Sequence, residues 1–285
     1  MAIIKSFECI SPCKINEFLY IIGKRPDGYH NLQTLFVVLN YGDPMRFEIT
    51  DDGKVDLTTA FDFPKEQNLI YKAAMLLKTR YQIKLGCLIS IDKILPQGGG
   101  LGGGSGNAAT VLLVLSKLWK LDLDDATLIE LGASLGADVP LFIKGVTTFG
   151  EGIGERLQEV SWPERYYLVV NPNCKVPTKE LFGSPLLKRD STERPLSELL
   201  KAPFENCFTP VVTKAYKEVA NLLSVLEKYA PARMSGSGSS CFVSFDTEQE
   251  CNAALKDFSE HYPDLPIFKA RSCSKNYIKE ALSRL

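Results

Sequence analysis

Seven glycines fall within the nine residues Gly98 to Gly106, preceded by Pro96 and followed at once by the helix-forming run Asn107-Ala108-Ala109-Thr110-Val111-Leu112-Leu113. A flexible linker would not give way so abruptly to a helix. Glycine admits positive φ and lets the backbone approach a ligand closely. A helix opening near Ser105 to Asn107 adds free N–H groups and the positive end of its dipole. The stretch Pro96, Gln97, Gly98, Gly99, Gly100, Leu101, Gly102, Gly103, Gly104, Ser105, Gly106 and Asn107 therefore reads as a phosphate cradle.

The spacing Gly98-x-Gly100-x-x-Gly103 formally fits a dinucleotide fingerprint, with Asp122, Asp124 and Asp125 about twenty residues on. That match carries little weight, because a glycine run satisfies the pattern by chance. Asp92-Lys93 also stands where such a unit wants an apolar strand. No lysine follows the glycines as G-x-x-x-x-G-K-[ST] requires, and neither H-R-D nor D-F-G occurs.

Charge narrows the partner. The 285 residues carry 33 basic and 34 acidic side chains, a net charge of -1, so no global field draws the chain to nucleic acid or an anionic membrane. A phosphate must be held by local geometry, and a small molecule is the expected partner. No apolar run approaches the roughly 18 residues of a membrane span, and MAIIKSFECI lacks the features of a secretory signal; a cytoplasmic protein is expected. The eight cysteines form no C-x-x-C pair and have two histidines for company, which favours free thiols over a zinc site. The sequence carries no signature of an oligomeric state.

Strand-like runs over residues 5–50, broken by Pro26-Asp27-Gly28 and Gly42-Asp43-Pro44, predict several strands of an antiparallel meander. Helical spacing begins at Asn68, and a strand is predicted over Lys84 to Ile91 before the cradle. Two more helices follow the cradle. The pattern restarts at the apolar strand Tyr166 to Val170, which puts a domain boundary near Trp162 and divides the chain into 1–162 and 163–285. Beyond it, helices are predicted over Val211 to Tyr229, Glu248 to Phe258 and at the C-terminus. Strands are predicted over Cys241 to Phe245 and Ile267 to Ala270.

Three widely separated segments, SPCKIN at Ser11 to Asn16, PQGGGLGGGSGNAAT at Pro96 to Thr110 and ARMSGSGSSCF at Ala232 to Phe242, together resemble the GHMP kinases. The resemblance implies an α+β fold of two domains, the first like domain 2 of ribosomal protein S5 and the second ferredoxin-like, with the active site between them. It also implies MgATP as phosphoryl donor and the glycine run as the ATP-binding segment. RPDGYHNLQTLF at Arg25 to Phe36, LGADVPLF at Leu135 to Phe142 and GEGIGE at Gly150 to Glu155 resemble one branch of that family. Its acceptor is the 2-hydroxyl of a cytidine diphosphate-linked methylerythritol, in non-mevalonate isoprenoid synthesis. Homoserine- or mevalonate-type acceptors, or a nucleotide-binding protein without turnover, are the rival readings.

Carried onto this chain, the resemblance makes Asp138 the base that accepts the hydroxyl proton and Lys14 its cationic partner. Without its flanking motif, Asp138 would read as a simple helix cap. Tyr29 and Phe182 are implied as two aromatic walls for the base, and His30 as a hydrogen-bonding group on its edge. Asn16, Thr178, Gly236 and Gly238 are implied as further acceptor contacts, and Ser105 as a metal ligand. Two positions depart from the family pattern: Gly106, where a serine is usual, and Glu17, where an apolar residue is usual.

Overall fold

A computed structural model describes residues 2–285. Its first sheet is built on two long strands, β1 (Ile3–Lys24) and β2 (His30–Thr50), which pair antiparallel over nearly their whole length. β3 (Val55–Leu57), β4 (Gly86–Ile91), β5 (Thr148–Gly152) and β6 (Arg156–Glu159) complete it in the order β3-β4-β2-β5-β6, with β1 alongside β2. The expected meander of several strands over 5–50 is thus one hairpin. Pro26-Asp27-Gly28 makes its turn, whereas Gly42-Asp43-Pro44 lies inside β2. There the register slips from Pro12↔Gly42 to Cys13↔Leu39, so Asn40 and Tyr41 bulge while Gly42, Asp43 and Pro44 stay paired with Pro12, Ser11 and Ile10.

Four helices cover the sheet: α1 (Leu69–Arg80), α2 (Gly103–Leu118), α3 (Asp125–Leu135) and α4 (Val139–Lys144). Asn68 caps α1 through Ile70 N, and Asp124 caps α3 through Thr127 N. α2 is buried along most of its length, from Gly106 to Leu118 apart from Lys117, so it is the central rod of this layer. It begins at Gly103, earlier than the expected Ser105, because Gly102 takes the left-handed conformation at its N-cap.

β7 (Tyr166–Val170), α5 (Thr178–Gly183), α6 (Leu196–Leu199), α7 (Thr209–Ala215), α8 (Lys217–Leu226), β8 (Arg233–Met234), β9 (Cys241–Phe245), α9 (Glu248–His261) and β10 (Ile267–Arg271) form the second layer. Its sheet runs β10-β7-β9-β8, antiparallel throughout, the ferredoxin-like order. The helix expected over Val211 to Tyr229 is broken at Tyr216, whose extended backbone separates α7 from α8. The last helix, α10 (Tyr277–Leu282), turns back. Cys273, Ile278 and Leu282 join the core around α2, so 163–285 is not a single packing unit. Among the described residues no helix is long and apolar enough to cross a membrane.

Candidate active site

The glycine run lies where the two sheets meet. Gly98, Gly100 and Gly102 alternate at φ of 71°, 76° and 68°, a conformation that side chains oppose. Gly100 is further constrained, since a Cβ there would sit 2.1 Å from the Ser235 carbonyl. The loop's carbonyls are taken up by donors behind it. Gly99 O accepts from Ser240 N at 3.1 Å and Leu101 O from Lys14 N at 3.0 Å. Gly100 O accepts from both Lys14 Nζ at 2.8 Å and Ser235 Oγ at 2.9 Å. The first N–H groups of α2 have no intrahelical partner and remain free for an anion.

The run separates two cavities. On one side about 430 Å³ is lined by Pro96 to Ser105 and Asn107, together with Phe61, Phe63, Asn68 and Lys93. On the other about 270 Å³ is lined by Lys14, Asn16, Asp138, Thr178, Phe182 and Gly236, with Gly98, Gly100 and Gly102 common to both. Of the expected cradle residues Gly106 alone is absent from the first cavity. It is buried against β1, where a Cβ would lie 2.4 Å from the Pro12 carbonyl. Asn107 faces inward, donating to Ser11 Oγ at 3.0 Å and Asp43 Oδ2 at 3.1 Å and accepting from Lys93 Nζ at 3.1 Å. Lys93 also pairs with the fully buried Asp43, which takes the N–H groups of Ile94 and Leu95 at 3.0 Å each. Sequence reasoning missed Lys93 and the Phe61-Phe63 pair. Their only local signals were a lysine before the glycines and two aromatics in a polar loop.

Lys14 is 5% exposed, and its ammonium donates to Asn16 Oδ1 at 2.7 Å as well as to Gly100 O. Asn16 in turn donates to Thr34 Oγ1 at 2.8 Å, which fixes the amide with its oxygen toward the lysine. Burial holds Lys14 below the usual lysine value, and the Asp138 charge works against that shift. Among the described residues Lys14 and Asp138 make no direct ion pair; they face one cavity and couple through its field. Asp138 opens α4 yet its side chain caps none of that helix's N–H groups, so the carboxylate is not spent as a cap.

Gly236, at φ 57°, abuts these groups, for a Cβ there would stand 3.4 Å from both Lys14 Nζ and Asn16 Oδ1. Thr178 Oγ1 lies 2.7 Å from Ser237 Oγ. Gly238 does not line the cavity; a Cβ on it would meet Met234 Sδ at 2.8 Å, so its part is in the turn. Phe182 stacks on His30 at 4.9 Å and 24° and meets the edge of Phe208 at 5.0 Å. His30 is buried, with Nε2 unpartnered, and burial together with Arg189 and Lys24 holds the imidazole below its usual value. His30 lies behind Phe182 and outside the cavity lining, and Tyr29 stands apart at the hairpin turn, 61% exposed and likewise outside it.

Residues 68–146 match the family described as GHMP kinases N terminal domain, and residues 186–264 match GHMP kinases C terminal. The chain belongs to the GHMP kinase family. As a GHMP kinase it is an enzyme that moves a phosphoryl group to an alcohol, and ATP is its donor. It is 47% identical to a 4-diphosphocytidyl-2-C-methyl-D-erythritol kinase of Mannheimia succiniciproducens, over 89% of this chain and 86% of that protein. It is 48% identical to a protein of the same name from Histophilus somni, over 90% of this chain and 82% of that one. Among solved structures, a 4-(cytidine 5'-diphospho)-2C-methyl-D-erythritol kinase superposes with a TM-score of 0.81 at 27% identity, covering 94% of this chain and 100% of that one. The α+β fold expected from the three motifs is that of this GHMP kinase.

Proposed function

We propose that this chain transfers the γ-phosphoryl group of ATP to the 2-hydroxyl of 4-diphosphocytidyl-2-C-methyl-D-erythritol. One observation carries the reading: a single glycine loop walls two cavities, with the free N–H groups of α2 toward the larger and Lys14 and Asp138 in the smaller. The names of the relatives at 47% and 48% identity support the choice of acceptor.

Phosphoryl transfer needs positioning and charge stabilisation more than covalent chemistry. The nucleotide lies in the larger cavity with its phosphates against the loop, where Lys93 adds a cation held by Asp43. The acceptor hydroxyl sits beside Asp138, which takes its proton as the oxygen attacks phosphorus. Lys14, oriented by Asn16 and the Gly100 carbonyl, neutralises charge on the transferred group and favours ionised Asp138. Magnesium, when bound with the nucleotide, neutralises the triphosphate. Ser105 fits as its protein oxygen, because the residue lines the nucleotide cavity and its hydroxyl has no hydrogen-bond partner among the described residues. His30 and Phe182, with Tyr29 reaching over from the hairpin turn, recognise the cytosine. The chain functions as two domains meeting near residue 162, with the last helix tying the second back to the first.

The decisive assay compares MgATP turnover with the cytidylyl acceptor against homoserine, mevalonate and galactose. Turnover confined to the cytidylyl acceptor is expected; an equal or better rate with any of the others overturns the assignment.

A further inference from the structure

Arg189 follows α5 and turns back on it. Nη2 donates to the carbonyls of Phe182 at 2.6 Å and Ser184 at 2.7 Å, and Nη1 to that of Leu187 at 3.0 Å. α5 has six residues and no side-chain N-cap, far too few to hold its shape unaided. The last carbonyls of a helix lack intrahelical partners, and a guanidinium there both satisfies them and complements the negative end of the dipole. Arg189 thus closes the end of the helix that its own length leaves open.

What α5 carries gives this closure a purpose. Thr178 and Phe182, four residues apart and so on one face, both line the acceptor cavity. The Phe182 ring is held between the face of His30 and the edge of Phe208. We propose that Arg189 is a positioning residue for recognition of the acceptor's base, fixing α5 so that Phe182 and His30 present one surface to a pyrimidine. The inference rests on the cytidylyl reading above.

Arg189 also acts through its charge. Two cations bear on His30: Arg189 from the loop after α5, and Lys24, paired directly across the β1-β2 hairpin. The neighbouring Arg25 is taken up by Asp27 at 2.8 Å. A neutral imidazole offers one donor and one acceptor nitrogen, whereas the imidazolium only donates. The mixed donor-acceptor edge of a pyrimidine needs the neutral ring, and Nε2 is buried without a partner to exchange.

R189M and R189K, with F182A alongside, test the proposal through the Michaelis constants of both substrates and the pH profile of kcat/KM for the acceptor. R189M is expected to raise the acceptor KM by about 5- to 50-fold, less than the roughly 150-fold that complete loss of base stacking can reach, with kcat and the KM for ATP within about twofold of wild type. The acid limb of its profile should move to higher pH, because a cation that disfavours imidazolium is gone. R189K keeps the charge and loses carbonyl contacts, so its acceptor KM should rise about three- to tenfold with the limb unmoved. Should R189M not fold, R189K decides by its KM. An unchanged acceptor KM in the folded variants, or a rise in the KM for ATP, overturns the proposal. If F182A raises the acceptor KM while the Arg189 variants do not, Arg189 alone is misassigned. If F182A also has no effect, the base-recognition reading fails with it.

Discussion

Glu17 and Arg233 form an ion pair, Oε2 to Nη2 at 2.8 Å, that joins β1 to β8 from the interior of the molecule. Glu17 is 1% exposed, and its other oxygen accepts from Tyr167 Oη at 2.7 Å. The guanidinium lies 5.5 Å from the centre of the Phe204 ring and 5.2 Å from that of Phe242. The buried acid is therefore matched by a base on the other sheet. Lys14 and Asn16 lie just before Glu17, and the Ser235-Gly236 turn just after Arg233, so the pair ties the acceptor-side groups together.

Breaking a buried pair by removing one partner leaves an uncompensated charge and costs about 3–5 kcal/mol, whereas replacing both with apolar groups is often near neutral. E17L and R233M are each expected to lower unfolding stability by roughly that amount, and E17L/R233M to recover most of it. Urea denaturation of the four proteins checks this. Additive losses in the double variant would mean that the pair is not coupled.

Asp138 lines the acceptor cavity without capping α4, so D138N should spare the fold and remove the proton acceptor. A general base contributes about 10²- to 10⁴-fold, and kcat is expected to fall within that range with the KM for ATP nearly unchanged. K14M should resemble it, and the double variant should fall well short of the product of the two. A D138N loss below about tenfold would reduce Asp138 to a substrate contact.

The rate should fall at alkaline pH sooner than an ordinary lysine would dictate. Burial holds Lys14 below the usual value, so the ammonium is lost, and kcat with it, as pH rises through that lowered value. In the window between the lowered and the usual lysine value the unfolded chain binds the extra proton, so stability rises with pH there and unfolding does not account for the fall. In D138N the limb should move lower still, since Asp138 opposes the shift. A profile flat up to the usual lysine range contradicts the role of Lys14.

Tyr29 is 61% exposed and packs into no core cluster, so Y29A should melt with the wild type. Loss of one stacking face costs roughly 1–3 kcal/mol, which predicts a 5- to 150-fold rise in the KM for the cytidylyl acceptor and none for ATP. The penalty should shrink for an acceptor lacking the base. A raised KM for ATP would assign the tyrosine to the nucleotide pocket.

Residues 96–107 announced a phosphate cradle by themselves, because the positive-φ glycines and the helix that follows are consequences of a dozen consecutive residues. The strands Tyr166–Val170 and Cys241–Phe245 were legible for the same reason, as were α1 from its Asn68 cap and α9 from Glu248. The bulge within β2 was not, since Gly42-Asp43-Pro44 has turn chemistry and only pairing with Ile10, Ser11 and Pro12 keeps it in the strand. Nor was Tyr216, whose break in the helical run has no glycine or proline beside it.

The sequence by itself determined the kind of ligand, a phosphate on glycine backbone, and through its three spaced motifs the family to which the chain belongs. Tertiary structure alone decided that one loop walls two cavities and that Lys93 joins the nucleotide side through Asp43, fifty residues away. It also decided that Arg189 closes α5 and that Glu17 is answered by Arg233. Cradles, caps and turns are set by the backbone preferences of neighbouring residues. A buried charge becomes tolerable only through the partner that folding brings to it, and no local pattern encodes which partner that is.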